Sequence, residues 1–341
     1  MEQPISDTHR TPTRPRGFFV TSLDFELHWG VRDKRTVEQY RANLLGVRRA
    51  IPAMLDLFEQ HDVHATWASV GFLFYDGREE LLSELPAVLP AYRDARYSPY
   101  AELATLGRSE ADDPYHFAPS LLRLIQRTPG QELATHTFSH YYCLEPGQDA
   151  RAFEADIAAA MRAGERLGSK LRSIVFPRNQ VNLAYLPVCE RFGIRAYRGN
   201  PGWTAYEARQ NGNEGLLMRA ARLADQYAPL SGHKTSSPRR VSNTPLYDIP
   251  ASSFLRPHSR RLAPLDPLRK SRIIRDISFA AQKSETYHLW WHPHNFGTDL
   301  AKNIEFLRSI LNHVAEMRSK YGMQSVAMAE LADIYETERA S

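Results

Sequence analysis

The sequence predicts an α/β domain with parallel strands, arranged as a barrel or an open sheet. Three observations lead to that class. Residues 17–26, GFFVTSLDFE, form a β-rich run, and 63–70, VHATWASV, a second one. Between them, Tyr40, Leu44, Val47, Ile51, Leu55 and Phe58 recur at helical spacing, which makes a β-α-β unit. Polar clusters at 24–28, 136–140, 177–180 and 292–296 each close a strand pattern, where a parallel barrel gathers its catalytic groups.

The remaining elements follow in order. Residues 75–130 break the rhythm and read as an insertion, with short amphipathic patterns near 79–89 and 119–127. ELAT at 132–135 is a strand leading into histidines, followed by a helix at 148–167, a strand at 172–176, a helix at 182–191 and a strand at 193–197. A second insertion covers about 199–275: irregular to 245, a strand at 246–249, then irregular and basic to about 270. The chain closes on a strand at 286–292, a helix at 299–319, a strand at 323–328 and a helix at 329–338.

Length and composition bound the function. The 341 residues suit one large domain, and a hydrophobic share of 43% is enough for its core. A net charge of +4 is too small to argue for nucleic acid, and no nucleic-acid motif is present. Two cysteines exclude a disulfide scaffold. Residues 1–16 lack the apolar run of a secretory signal and are expected to be a disordered tail before a catalytic domain at 17–341. With no membrane span in the sequence, a cytoplasmic location is the expectation.

The chemistry centres on His136-Thr-Phe-Ser-His140. Two histidines four apart on one helical turn can bind one metal, and Thr137 replaces the glutamate that a zincin protease needs. The bland alternative for such a pair is two polar histidines at a helix start. Asp24 and Glu26 share a strand face with Val20 and Ser22, so two carboxylates enter one pocket. That is costly without a cation, and a metal would leave the spare carboxylate free to act as a base. His292 ends an apolar strand and is a candidate general acid; His294 and Asn295, just beyond, are candidate substrate contacts. Cys143, three residues past His140, is read as a buried thiol, with a metal-ligand role as the other option.

Taken together these motifs resemble the polysaccharide deacetylase family, carbohydrate esterase family four, also called the NodB-homology domain. Thr21-Ser-Leu-Asp24-Phe-Glu26 is similar to its opening Thr-Phe-Asp-Asp motif. His136-Thr-Phe-Ser-His140 matches its His-Ser/Thr-x-x-His motif at every defined position. Phe176-Pro-Arg178-Asn-Gln resembles its Arg/Pro loop, and Leu289-Trp-Trp-His292 its closing Leu-x-His strand. The order is the family's across residues 17–296. Two departures stand out: Phe25 separates the acids, and the second acid is Glu. The acidic motif that orients the acid histidine is not recognisable, and Asp248 is only a weak counterpart.

The resemblance implies a distorted (β/α) barrel of about seven strands and a metal-dependent hydrolase that removes an acetyl group from a carbohydrate. It implies one divalent ion, Zn²⁺ by preference or Co²⁺, Mn²⁺ or Ni²⁺, held by Glu26, His136 and His140. Asp24 would then be the base, His292 the acid, and Arg178 the residue holding Asp24. Trp203 is the favoured sugar platform. The expected partner is an acetylated sugar or oligosaccharide, nucleotide- or lipid-linked, from cell-surface polysaccharide synthesis. Ten Lys/Arg against two Asp in 234–275 suggest an anionic substrate or peripheral membrane contact there. The competing readings are an amidohydrolase of the same fold acting on a cyclic amide, and an inactive carbohydrate-binding relative.

Overall fold

The computed structural model describes residues 17–201, 223–227, 232–242 and 244–340. The expected tail and Trp203 lie outside them. The chain runs β1 (Phe18–Phe25), α1 (Val37–Gln60), β2 (Ala65–Ser69), α2 (Arg78–Ser83), α3 (Pro119–Arg127), β3 (Gln131–Thr135) and α4 (Ala150–Arg166). It continues through β4 (Ser173–Ile174), α5 (Leu186–Arg191), β5 (Ala196–Gly199), β6 (Arg239–Arg240), β7 (Tyr247–Pro250) and β8 (Ser253–Phe254). It ends with α6 (Asp266–Lys283), β9 (Thr286–Trp291), α7 (Leu300–Tyr321), β10 (Gln324–Val326) and α8 (Met328–Ala340).

The strands form one sheet in the order β6-β7-β5-β4-β3-β2-β1-β9-β8, with β10 also on β1. Every pairing is parallel except β6 with β7. The sheet curls back on itself through β7 and β8. Ala251 N still donates to Gly199 O of β5 at 2.9 Å, whereas Ser252 N donates to His288 O of β9 at 2.8 Å and Leu255 N to Trp290 O at 2.8 Å. One extended segment thus passes from β5 to β9. The resulting distorted barrel has seven parallel positions: β1, β2, β3, β4, β5, the β7–β8 segment and β9.

Side chains alternate across this wall with the period of two that strands impose. Phe19, Leu23 and Phe25 of β1 and Tyr287, Leu289 and Trp291 of β9 pack outward among the helices. Phe18, Val20, Ala68, Ala134, Ala196 and Ile249 point inward and meet Met328, Leu331 and Ala332 of α8, which plugs one end. Further along the same inward rows, the apolar residues give way to Ser22, Asp24, Arg198 and His288, all buried. The interior is therefore a packed core at one end and a polar site at the strand C-termini.

Two expectations are corrected. The stretch read as irregular to about 270 becomes helix at Asp266, with Pro267 in its first turn. Its buried face includes Arg269, Arg272 and Asp276, so its apolar period is blurred. Of the ten basic residues in 234–275, five already pair with carboxylates. Lys234 pairs with Asp225, Arg239 with Asp248, Arg240 with Glu336, Arg269 with Asp266 and Arg272 with Asp276. Within the 75–130 segment, α3 is a regular crossover helix packed on β3, so only the residues before it depart from the β-α pattern. No helix among the described residues is long and apolar enough to cross a membrane.

Candidate active site

Asp24 and Glu26 reach the cleft as their alternation requires. Glu26 lies just past the end of β1, at the entry to a short helical turn, Leu27–Gly30. Both carboxylates are buried, at 3% and 4% exposure, which makes their partners decisive. Glu26 Oε2 lies 2.9 Å from His140 Nε2 and 3.3 Å from His136 Nε2. Its other oxygen, Oε1, is 3.3 Å from His292 Nε2, which is also 3.7 Å from Asp24 Oδ2.

His136 and His140 do not sit on a helical turn. They flank a loop in which Thr137 and His140 have left-handed backbone, φ 63° and 58°. Its hydrogen bonds explain why it is not helical. Asp156 of α4 accepts from Phe138 N at 2.6 Å and Ser139 N at 3.1 Å, and from the Ser139 hydroxyl. On the other side, Gly71 N donates to Thr137 O at 2.9 Å and Phe72 N to Phe138 O at 3.2 Å. The Tyr142 hydroxyl holds His140 Nδ1 at 3.1 Å, which turns Nε2 toward Glu26.

Asp24 is held by Arg198, not by Arg178. Arg198 Nη1 donates to Asp24 Oδ1 at 2.6 Å and Nη2 to Oδ2 at 2.7 Å, a fork-on-fork pair. Arg198 also donates to Ser22 Oγ at 3.1 Å and Asn179 Oδ1 at 2.8 Å. Ser22 is in turn 2.8 Å from His288 Nε2, while His288 Nδ1 lies 3.2 Å from Ile249 O. Arg178 instead pairs with Asp33 and lies over the Tyr142 ring, 4.1 Å from its centroid. The Phe-Pro-Arg-Asn-Gln turn directs its arginine along the cleft wall, and the strand that follows supplies the guanidinium for Asp24.

These contacts set the charges. Burial by itself would raise the Asp24 pKa, but Arg198 outweighs it and holds the carboxyl below its ordinary value. Burial opposes ionisation of Glu26 too, yet the charge of His292 and hydrogen bonds from His136 and His140 hold it well below the carboxylate range. Burial pushes His140 down to about 4, so its imidazole is neutral near pH 7.

The cleft measures roughly 410 Å³ and is lined by Asp24, Glu26, His136, His140, Arg178, His292, His294 and Asn295. These eight residues therefore meet at one opening. Trp290 and Phe254 also line it, 4.7 Å apart, and Arg198 lies behind Trp290 at 4.1 Å from its centroid. His294 is buried, with its ring edge on Tyr40, and Tyr40 donates to Asn295 at 3.4 Å.

Cys143 belongs to neither of the groups that could hold a metal. It is buried in an apolar cluster with Cys189, and burial pushes its thiol pKa well up. His28 faces His116 and Arg35 O at 2.9 Å each, and Asp248 pairs with Arg239, so neither serves the cleft.

The donor set fits a divalent cation. Glu26, His136 and His140 bring one carboxylate oxygen and two ring nitrogens within 4.8 Å of one another, all buried. Glu26, His292 and His294 form a second such group sharing the same carboxylate. The first is the better fit, because His140 is already aimed by Tyr142, as a ligating histidine requires.

No family model matches the chain, and no curated protein matches it. Solved structures do. A protein assigned as a polysaccharide deacetylase from Mycobacterium smegmatis aligns with a TM-score of 0.59 and 13% identity, over 96% of both chains. Another so assigned, from Pseudomonas aeruginosa PAO1, gives 0.59 and 11%, over 96% of this chain and 93% of the other. PuuE allantoinase gives 0.58 and 10%, over 96% and 92%. The chain thus has the fold that polysaccharide deacetylases share with this allantoinase, across nearly its whole length.

Proposed function

We propose that the protein is a metal-dependent hydrolase that removes an acetyl group, most readily from an amide nitrogen, from a carbohydrate of cell-surface polysaccharide synthesis. One observation carries this reading: Glu26 faces two buried histidines through one oxygen and His292 through the other, with an Arg-clamped Asp24 alongside.

Glu26, His136 and His140 would hold the metal. The chemistry a divalent ion would supply there is a more acidic water and a polarised acyl carbonyl, and two imidazoles with one carboxylate suit Zn²⁺, with Co²⁺, Mn²⁺ or Ni²⁺ as alternatives. Asp24 is the base. Arg198 keeps it ionised and fixes its oxygens, so it takes a proton from the attacking water. His292 is the acid. Its Nε2 gives a proton to the departing amine as the C–N bond breaks, and its half-buried ring is open to the cleft.

Trp290 and Phe254 form an apolar wall beside His292 against which an acyl methyl or a sugar face can pack. His294 and Asn295 contact the substrate from the same loop. Trp203 remains a proposed platform outside the described residues. The test is acetate release from a panel of acetylated sugars, sugar nucleotides and oligosaccharides by the metal-loaded protein. Hydrolysis of cyclic ureides with no acetyl release would replace this reading with the amidohydrolase one.

A further inference from the structure

Glu26 serves two pairs of histidines, one with each carboxylate oxygen. Its Oε2 meets His136 and His140, while Oε1 lies 3.3 Å from His292 Nε2. His294 completes the second pair: it brings a ring nitrogen within 4.8 Å of a Glu26 oxygen and of a His292 ring nitrogen.

The fold builds this convergence. Strand β9 ends at Trp291, and the short turn Pro293–Phe296 follows just past His292. That turn is pinned on α1. Asn43 Nδ2 donates to His294 O at 3.0 Å, and the Tyr40 ring meets the His294 ring edge-on. Gly46 lets the chain beyond the turn come close, since a Cβ there would lie 2.0 Å from Gly297 O. The His292 and His294 rings are left nearly parallel, at 18°, with centroids 5.0 Å apart.

A second observation points to a ligand. His294 is 4% exposed and lines the cleft, and its Nδ1 has no hydrogen-bond partner among the described residues. A buried imidazole is ordinarily satisfied at its polar atoms. Two imidazoles beside a carboxylate oxygen are also a donor set that divalent transition metals favour.

We propose that Glu26, His292 and His294 form a second, weaker site for a divalent cation such as Zn²⁺, filled only when the metal is in excess. Hydrolases with two ions set them about 3.5–4 Å apart, a spacing that the two oxygens of one carboxylate can bridge. The site is the weaker one because nothing aims His294 as Tyr142 aims His140, and half-buried His292 stays open to water. A cation there takes the nitrogen that the deacetylase reading gives to the departing amine, so filling it would inhibit. That consequence rests on the deacetylase reading; the site itself does not.

The test is equilibrium dialysis of the full chain against stepped free Zn²⁺, with metal per chain read by elemental analysis. The parent should rise from about one equivalent to about two, the second lost when the excess is removed. His292→Gln and His294→Gln should each stop one equivalent short of the parent. His292 is open to the cleft, so its variant keeps the test alive if His294→Gln loosens the turn. The proposal is overturned if either folded variant takes up as much zinc as the parent, because the extra metal would then lie elsewhere or be absent. Failure of the tighter centre reads differently, as a His136→Ala variant that binds like the parent.

Discussion

Arg198 and Asp24 form a two-pronged ion pair inside the barrel, 2.6 and 2.7 Å across, with the side chains 0% and 4% exposed. Removing one partner leaves the other charge buried alone, which costs about 3–5 kcal/mol in comparable pairs. Arg198→Met should therefore lower stability by that order and raise the Asp24 pKa toward and beyond its ordinary value. The sign follows from the direction of the shift. A carboxyl depressed in the fold adds stability above its unfolded pKa and loses it as pH falls through the folded one. In Arg198→Met that acid-side loss should disappear, and the acid limb of the pH–rate profile should move to higher pH. Thermal melts and a pH–rate profile check both.

Asp156 should behave as the anchor of the histidine loop. Its carboxylate accepts two backbone N–H groups and the Ser139 hydroxyl, and no cation pairs with it among the described residues. Asp156→Asn keeps the shape but turns one acceptor into a donor. Metal affinity should fall about 10–100-fold, the usual loss when a group supporting the ligands is altered. Burial raises its pKa to about 6, so between about pH 4 and 6 the folded state holds the proton more tightly than the unfolded chain. Stability from this group therefore falls as pH rises through that window. The asparagine variant should lose the slope, which melts across the window would show.

Gly71 is a steric counterpart to that anchor. A Cβ there would lie 2.4 Å from Phe138 Cδ2 and 2.8 Å from Phe138 Cα. Gly71→Ala must push the loop, at about 1–3 kcal/mol of overpacking, and should weaken metal binding. Calorimetric metal titration with a melt of the same sample separates the two effects.

The acid and base should separate from the ligands. Asp24→Asn and His292→Ala remove proton-transfer groups while leaving Glu26, His136 and His140 in place. Turnover should fall roughly 10²–10⁴-fold with metal content near the parent's, and added metal should not restore it. Full turnover in His292→Ala would remove it as the acid.

Much of this site was legible in the sequence because strand alternation is strict. Val20, Ser22, Asp24 and Glu26 read as one face, and that face is the barrel interior. The spacing of His136 and His140 identified the pair but misassigned its backbone, since the loop is shaped by Asp156, seventeen residues or more away and silent in any local pattern. Arg198 was missed for a related reason. Its position, a charge inside the strand AYRG that faces inward with Ala196, was a usable signal, because a buried arginine needs a carboxylate. Arg178, in the turn that resembles the family's Arg/Pro loop, drew the assignment instead. The helix from Asp266 was hidden because ion-paired arginines occupy part of its buried face.

The central claim is that Glu26, His136 and His140 form a metal centre, and elemental analysis of metal per chain tests it most directly. After loading with Zn²⁺ and removal of the excess, the parent should hold about one equivalent and melt higher than the chelated protein. Glu26→Ala, His136→Ala and His140→Ala should each retain far less under the same treatment. A parent that emerges metal-free with an unchanged melting temperature, or variants that keep the parent's full equivalent, would contradict the account.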